Sequence, residues 1–294
     1  RDAVEGEQLG IDGGHGPTLG AAHQRCPVGE DGGVDDVLHL AHRLPGPVAY
    51  VLGGGGAYGA VQMGMLRALA LTDVRPDLVI GTSVGSINGA VVAADPDGAA
   101  AALVELWPQI DRKQVFPGMV ITHAIATAGG RPYLFDPGPL TELLATYLPA
   151  QRVEDLAVPF AAVATDLDTG ELVLLDSGDL SQALLASSAI PGVFPWVERD
   201  DRRLVDGGLV AMVPVRQAVE RGAGSVVVLD CGQYRPGSRR TDGLLGVLVQ
   251  SLAIAARQQV ALDLAVAEQV PVVYLPAPHA IRSTLFDFAH TEPL

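Results

Sequence analysis

From Val48 onward, short apolar runs alternate with longer stretches in which apolar residues recur at helical spacing. The short runs, rich in valine, leucine and alanine, predict strands at Val48–Leu52, Leu78–Gly81, Phe160–Thr165, Leu172–Leu175, Arg203–Asp206, Ser225–Leu229 and Val272–Leu275. The longer stretches predict helices at Ala57–Leu71, Ser86–Ala94, Ala99–Trp107, Pro139–Tyr147, Leu180–Ser187, Pro214–Arg221 and Leu244–Glu268. Such alternation specifies an α/β fold: a three-layer α/β/α sandwich around a mostly parallel sheet, covered on both faces. The turn Asp166-Leu167-Asp168-Thr169-Gly170 joins two strand runs as a hairpin, so the sheet is expected to be mixed. Before Val48 the pattern vanishes. Residues 1–46 are rich in glycine and acids and poor in large apolar residues, and are expected not to order themselves. Residues 47–294 are expected to form the α/β domain.

Two glycine-rich turns interrupt this pattern at strand ends. In Gly81-Thr82-Ser83-Val84-Gly85 a serine stands between glycines at two-residue spacing, after an apolar run and before a helical one. That is the layout of a nucleophile elbow, with Gly81 and Gly85 leaving room for a tight strand-to-helix turn. The other turn, Gly53-Gly54-Gly55-Gly56, runs from strand into helix. Four glycines leave backbone N–H groups uncovered, and a helix N-terminus adds positive potential, which makes an anion cradle. Beside a nucleophilic serine such a cradle is an oxyanion hole, with the N–H groups of Gly54, Gly55 and Gly56 as donors.

The same stretch also spells Gly54-x-Gly56-x-x-Gly59, the dinucleotide fingerprint. A nucleotide site needs an acid at the end of the second strand. The serine elbow occupies that place, and Asp73 and Asp77 lie before the strand, so the oxyanion reading is preferred. A serine hydroxyl also needs a base. None of the seven histidines sits in a catalytic-looking loop. Asp206, between a strand end and the glycines Gly207 and Gly208, is the better candidate. Ser187-Ser188-Ala189-Ile190-Pro191-Gly192-Val193-Phe194-Pro195 reads as a helix end followed by a rigid loop.

In this order and spacing the four segments resemble the patatin-like phospholipase family over roughly residues 47–290. The resemblance implies a patatin-like fold and a serine–aspartate dyad without a catalytic histidine. Ser83 would be the nucleophile, Asp206 the base, and the loop of Gly54, Gly55 and Gly56 the oxyanion hole. It implies a carboxylic ester hydrolase, an esterase, lipase or phospholipase A that cleaves fatty-acyl esters through an acyl-serine intermediate. One position departs from the pattern: the family's loop usually carries arginine or lysine where this chain has Tyr58. Two other readings stay open. His279 and His290 follow Asp206 in the order of a Ser-Asp-His triad. The chain could also be a lipid-binding relative whose oxyanion hole Tyr58 has disabled.

Composition narrows the partners. The net charge is −15 and Lys113 is the sole lysine, so no basic stripe exists for nucleic acid and none for bulk adhesion to anionic membranes. The expected partner is a lipid or fatty-acyl ester, with any transient contact to a membrane surface local and apolar. No cofactor and no metal is expected; His39, His42 and Cys26 match no standard zinc spacing. Two distant cysteines, Cys26 and Cys231, make no disulfide framework, and a cytoplasmic, at most membrane-peripheral, location is expected. The 1–46 segment lacks the basic start and apolar stretch of a secretory signal. The segment from Trp107 to Tyr133 is expected to cover the site, and Leu285-Phe286-Asp287-Phe288 to line an acyl channel or anchor the C-terminus.

Overall fold

The strands with apolar residues on both faces lie at the centre of one sheet, and helices cover both of its sides. The computed structural model describes residues 44–110, 112–116, 130, 132–148, 150–232, 244–266 and 269–277. The strands are β1 (Val48–Leu52), β2 (Leu78–Thr82), β3 (Phe160–Asp166), β4 (Leu172–Leu175), β5 (Val197–Arg199), β6 (Arg202–Asp206), β7 (Ser225–Leu229) and β8 (Val272–Leu275). They are ordered β5-β6-β3-β2-β1-β7-β8, with β4 also on β3. The run from β3 to β8 is parallel, while β4 and β6 pair antiparallel with β3, and β5 antiparallel with β6. Every residue of β1, β2, β3 and β7 is buried.

Strand alternation divides the core in two. Tyr50, Leu52, Val79, Ala162, Val227 and Leu229 point to one side, beneath α1 (Val61–Ala70), α2 (Val84–Ala94), α3 (Ala99–Leu106), α4 (Arg112–Val115), α5 (Gly138–Tyr147) and α6 (Leu180–Ser187). Ala49, Val51, Ile80, Val163, Val226 and Val228 point to the other, beneath α7 (Val215–Glu220) and α8 (Leu244–Val266). The architecture is the expected mixed, mostly parallel three-layer sandwich. Among the described residues no helix is long and apolar enough to cross a membrane.

Two elements differ from the expectation. The helix expected from Ala57 starts with a tight 3₁₀ turn over Gly56–Ala60 before α1. Gly56 there takes φ 52°, and Gly59 lies so close to α2 that a Cβ would come within 2.5 Å of Val84 Cγ2. The edge strand β5 has three residues, is partly exposed and carries no apolar run, so its pattern gave no signal. Residues 1–43, with Cys26, His39 and His42, lie outside the described residues, as do 117–129 of the expected cover, His279, His290 and Leu285-Phe286-Asp287-Phe288.

Candidate active site

Strand pairing brings two distant turns together. On β3, Val163 pairs with Thr82 of β2 and Leu174 of β4, and the next residue, Ala164, pairs with Val173 of β4 and Asp206 of β6. Since β4 occupies one edge of β3, β2 and β6 share the other. They run in opposite directions and meet C-terminus to C-terminus. Ser83 and Asp206, one at the end of each, therefore face each other, near enough for the Ser83 side chain to favour the charged form of the Asp206 carboxylate.

The elbow is built from steric necessity. Ser83 sits at φ 55°, ψ −128°, a strained backbone for a residue with a side chain, of the kind that costs about 1–3 kcal/mol. A Cβ on Gly81 would lie 2.3 Å from the Gly85 carbonyl oxygen, and one on Gly85 would lie 2.2 Å from that of Leu52. Neither position admits another residue. The turn is tied down by Ser83 N–H donating to Ser187 Oγ at 2.9 Å and Ser86 Oγ donating to the Ser83 carbonyl at 2.6 Å. The N-terminus of α2 opens directly after Ser83 and adds positive potential there.

Asp206 is held as firmly. Its N–H donates to the Ala189 carbonyl at 2.9 Å, its carbonyl accepts from Thr165 Oγ1 at 2.9 Å, and its Oδ1 accepts the Gly208 N–H at 2.7 Å. Gly207 is required because a Cβ would fall 2.3 Å from the Val163 carbonyl oxygen. Burial pushes the Asp206 carboxyl up to about 6, against the hydrogen bonds from Ser83 and Gly208 that favour its charged form. A carboxylate with that value is a better base near neutral pH than an exposed one.

The glycine loop packs against the elbow; a Cβ on Gly54 would lie 3.3 Å from that of Ser83. Its N–H groups are not equivalent. Gly53 N–H donates to the Leu229 carbonyl at 3.0 Å. The Gly54 N–H, expected as an oxyanion donor, instead donates to the Met212 carbonyl at 3.0 Å. The N–H groups of Gly55 and Gly56 have no acceptor among the described residues. The Gly55 carbonyl accepts the Tyr58 N–H at 3.1 Å. In a trans peptide this aims the Gly56 N–H the other way, out of the turn. Tyr58 thus supports the loop through its main chain, whatever its side chain. Behind the loop, a Cβ on Gly55 would strike that of the buried Cys231 at 2.5 Å.

A buried polar network that the sequence pattern did not reveal anchors both ends of this loop. Gln62 Nε2 donates to the carbonyls of Gly53 and Leu229, each at 3.0 Å. Asn88 Nδ2 donates to the Gly59 carbonyl at 3.1 Å and to Gln62 Oε1 at 2.8 Å, and Trp107 Nε1 donates to Asn88 Oδ1 at 3.1 Å. The other unforeseen contributors are Ser187, which holds the backbone of Ser83, and Ser188 beside it. The serine pair before Ala189 was the available signal.

Ser83 opens on an apolar cleft of about 830 Å³, counted to its mouth, between α2, α3, α5 and the loop after α6. Ile87, Val91, Trp107, Leu140, Leu144 and Phe194 line it, with Val115 and Phe116 of the expected cover. Phe116 stacks on Phe194 with centroids 5.5 Å apart and meets the edge of Phe135 at 5.4 Å. Among the described residues no three His, Cys, Asp or Glu side chains converge as a metal site.

Comparison with known proteins agrees with this geometry. Residues 50–219 match the family model described as patatin-like phospholipase. The chain is 29% identical over 201 residues to patatin-like phospholipase domain-containing protein 7 of Mus musculus, covering 67% of this chain and 14% of that one. It is 32% identical over 205 residues to patatin-like phospholipase domain-containing protein ZK370.4 of Caenorhabditis elegans, with the same two coverages. It is 29% identical over 218 residues to lysophospholipase NTE1 of Mycosarcoma maydis, covering 71% of this chain and 11% of that one. The chain thus spans about a seventh or less of these relatives' lengths. With the serine elbow, the glycine loop and the aspartate brought to one point and the match running through all three, this chain belongs to the patatin-like phospholipase family.

Proposed function

We propose that the protein is a serine acyl hydrolase that cleaves fatty-acyl esters with Ser83 as nucleophile and Asp206 as its base. The observation that carries this reading is the pairing of β2 and β6 on one edge of β3, which sets Ser83 and Asp206 face to face, with Ser83 opening on an apolar cleft. Asp206 takes the proton from Ser83 Oγ as the oxygen attacks the ester carbonyl. The N–H groups of Gly55 and Gly56 receive the oxyanion, each donor of this kind being worth roughly 10²–10³ in rate. The C–O bond to the alcohol breaks, Asp206 returns the proton to the leaving oxygen, and an acyl-serine remains. Water then attacks it with Asp206 as base and releases the fatty acid. No cofactor enters these steps.

The cleft wall supports a long acyl chain as substrate, because the walls beyond Ser83 are almost wholly apolar. A net charge of −15 disfavours a strongly anionic surface, so contact with lipid would be peripheral and apolar. In a histidine triad the carboxylate faces an imidazole; here it faces the serine itself, which favours the dyad. Tyr58 leaves the Gly55 and Gly56 donors in place, which favours an active enzyme over a disabled one. The test is hydrolysis of p-nitrophenyl esters by Ser83→Ala and Asp206→Ala variants. Each should abolish turnover while leaving the folded protein intact. Full activity in Asp206→Ala, or loss of activity on replacing His279 or His290, would refute the dyad.

A further inference from the structure

The buried hydroxyl of Ser188 takes no part in the dyad and has no hydrogen-bond partner among the described residues. Ser188 is 8% exposed and lines the cleft beside Ser83. Both of its chain neighbours grip the dyad: Ser187 Oγ accepts the Ser83 N–H, and the Ala189 carbonyl accepts the Asp206 N–H, each at 2.9 Å. Its own backbone is fixed, with its N–H on the Leu184 carbonyl at 3.0 Å and its carbonyl on the Ile190 N–H at 2.9 Å. Ser188 is thereby set between nucleophile and base. Buried hydroxyls are normally paired, and an unpaired one is unfavourable. Other polar side chains on the cleft are engaged elsewhere: Asn88 with Gly59, Gln62 and Trp107, and Tyr147 Oη with Gln109 at 3.4 Å.

An ester brings two oxygens to such a site. The carbonyl oxygen has the glycine-loop donors. The alkoxy oxygen must come within reach of Asp206, since the proton returns to it, and Ser188 lines the cleft beside that point. We propose that Ser188 Oγ–H donates a hydrogen bond to the leaving alkoxy oxygen of the acyl ester. The proposal rests on the ester-hydrolase reading above. As the tetrahedral adduct collapses, the C–O bond breaks and its electron pair passes to the alkoxy oxygen. That oxygen takes the proton Asp206 received from Ser83; Ser188 keeps its own. The bond strengthens as negative charge builds, so it matters most for basic leaving groups. It biases the enzyme toward esters of aliphatic alcohols over esters of activated phenols.

The test uses the full chain and a series of esters with one acyl group and leaving alcohols of graded acidity, from p-nitrophenol through phenol and trifluoroethanol to propanol. The readout is kcat/KM, which reports acylation. In Ser188→Ala the alkyl ester should lose roughly 10- to 100-fold, the worth of a hydrogen bond to a developing charge. The p-nitrophenyl ester should change less than about threefold, since a removed uniform interaction would move all substrates together. The dependence on leaving-group pKa becomes steeper in Ser188→Ala and stays as wild type in Ser188→Thr. The Ser188→Ala melting temperature should equal or exceed that of wild type, because an unpaired buried hydroxyl is removed. An equal loss on every ester, or no loss on any, overturns the proposal, and if Ser188→Thr does not fold the Ser188→Ala slope alone decides. Failure of the underlying reading looks different: Ser83→Ala would keep activity, or wild type would hydrolyse none of the series, and the proposal would fall with it.

Discussion

Replacing Asp206 with asparagine should destroy activity and stabilise the protein, with a gain that depends on pH. The aspartate is ionised and buried, and burial raises its carboxyl from the usual 3.8 to about 6. A shift of that size is worth about 3 kcal/mol at about 1.36 kcal/mol per pKa unit. Its sign follows from proton binding. Between the two pKa values the folded state holds the proton more tightly than the unfolded chain, so stability falls as pH rises. The contribution is fully present below about pH 4, is lost chiefly between about pH 4 and 6, and is gone above about pH 7. Asparagine can still accept the Gly208 N–H, but it cannot ionise. Urea unfolding of both proteins from pH 4.5 to 8 should show the stability difference, variant minus wild type, growing with pH, by up to about 3 kcal/mol over the full transition. The wild-type kcat/KM should rise with pH through an apparent pKa near 6 as the same carboxyl ionises. A constant difference, or an asparagine variant that is less stable at every pH, would refute the claim that Asp206 is a desolvated base.

Three further outcomes follow from the packing. Gly85→Ala places a Cβ 2.2 Å from the Leu52 carbonyl oxygen, backbone against backbone, and should cost about 3 kcal/mol or more or prevent folding, read by thermal melting. Gln62→Leu removes one of two donors from each of the Gly53 and Leu229 carbonyls and leaves an Asn88 N–H unpaired; it should lower stability by about 1–3 kcal/mol and reduce kcat more than it raises KM, because the loop loses its anchor. Val91→Phe narrows the cleft two helical turns beyond Ser83, and a screen of ester chain lengths should show activity on butyrate kept and activity on palmitate lost.

The sheet was legible because its central strands are apolar on both faces, and a run such as Ser225–Leu229 has few other uses. The serine elbow and the Asp206-Gly207-Gly208 turn were legible because no other residue fits their glycines: at Gly81, Gly85 and Gly207 a Cβ would meet backbone. The meeting of Ser83 and Asp206 was inferred from their places at strand ends and from family likeness, since the contact itself depends on β2 and β6 sharing an edge of β3, a pairing that no local pattern encodes. The division of labour in the glycine loop was hidden for a similar reason. Gly54 loses its donor to Met212, more than a hundred positions away. Gln62 and Asn88 gave no signal in the pattern because both are polar, yet both are almost wholly buried, their amides donating to carbonyls of the loop and of β7. The strand β5 was missed because three half-exposed residues beside Trp196 leave no hydrophobic trace.

The most direct test of the account is the rate at which a fluorophosphonate labels the protein as a function of pH, with the modified residue located by peptide mass. The account predicts a single adduct on Ser83, labelling that accelerates as pH rises through about 6, and a slow, pH-independent rate in Asp206→Asn. Labelling at another residue, or an Asp206→Asn protein that reacts as fast as wild type, would contradict it.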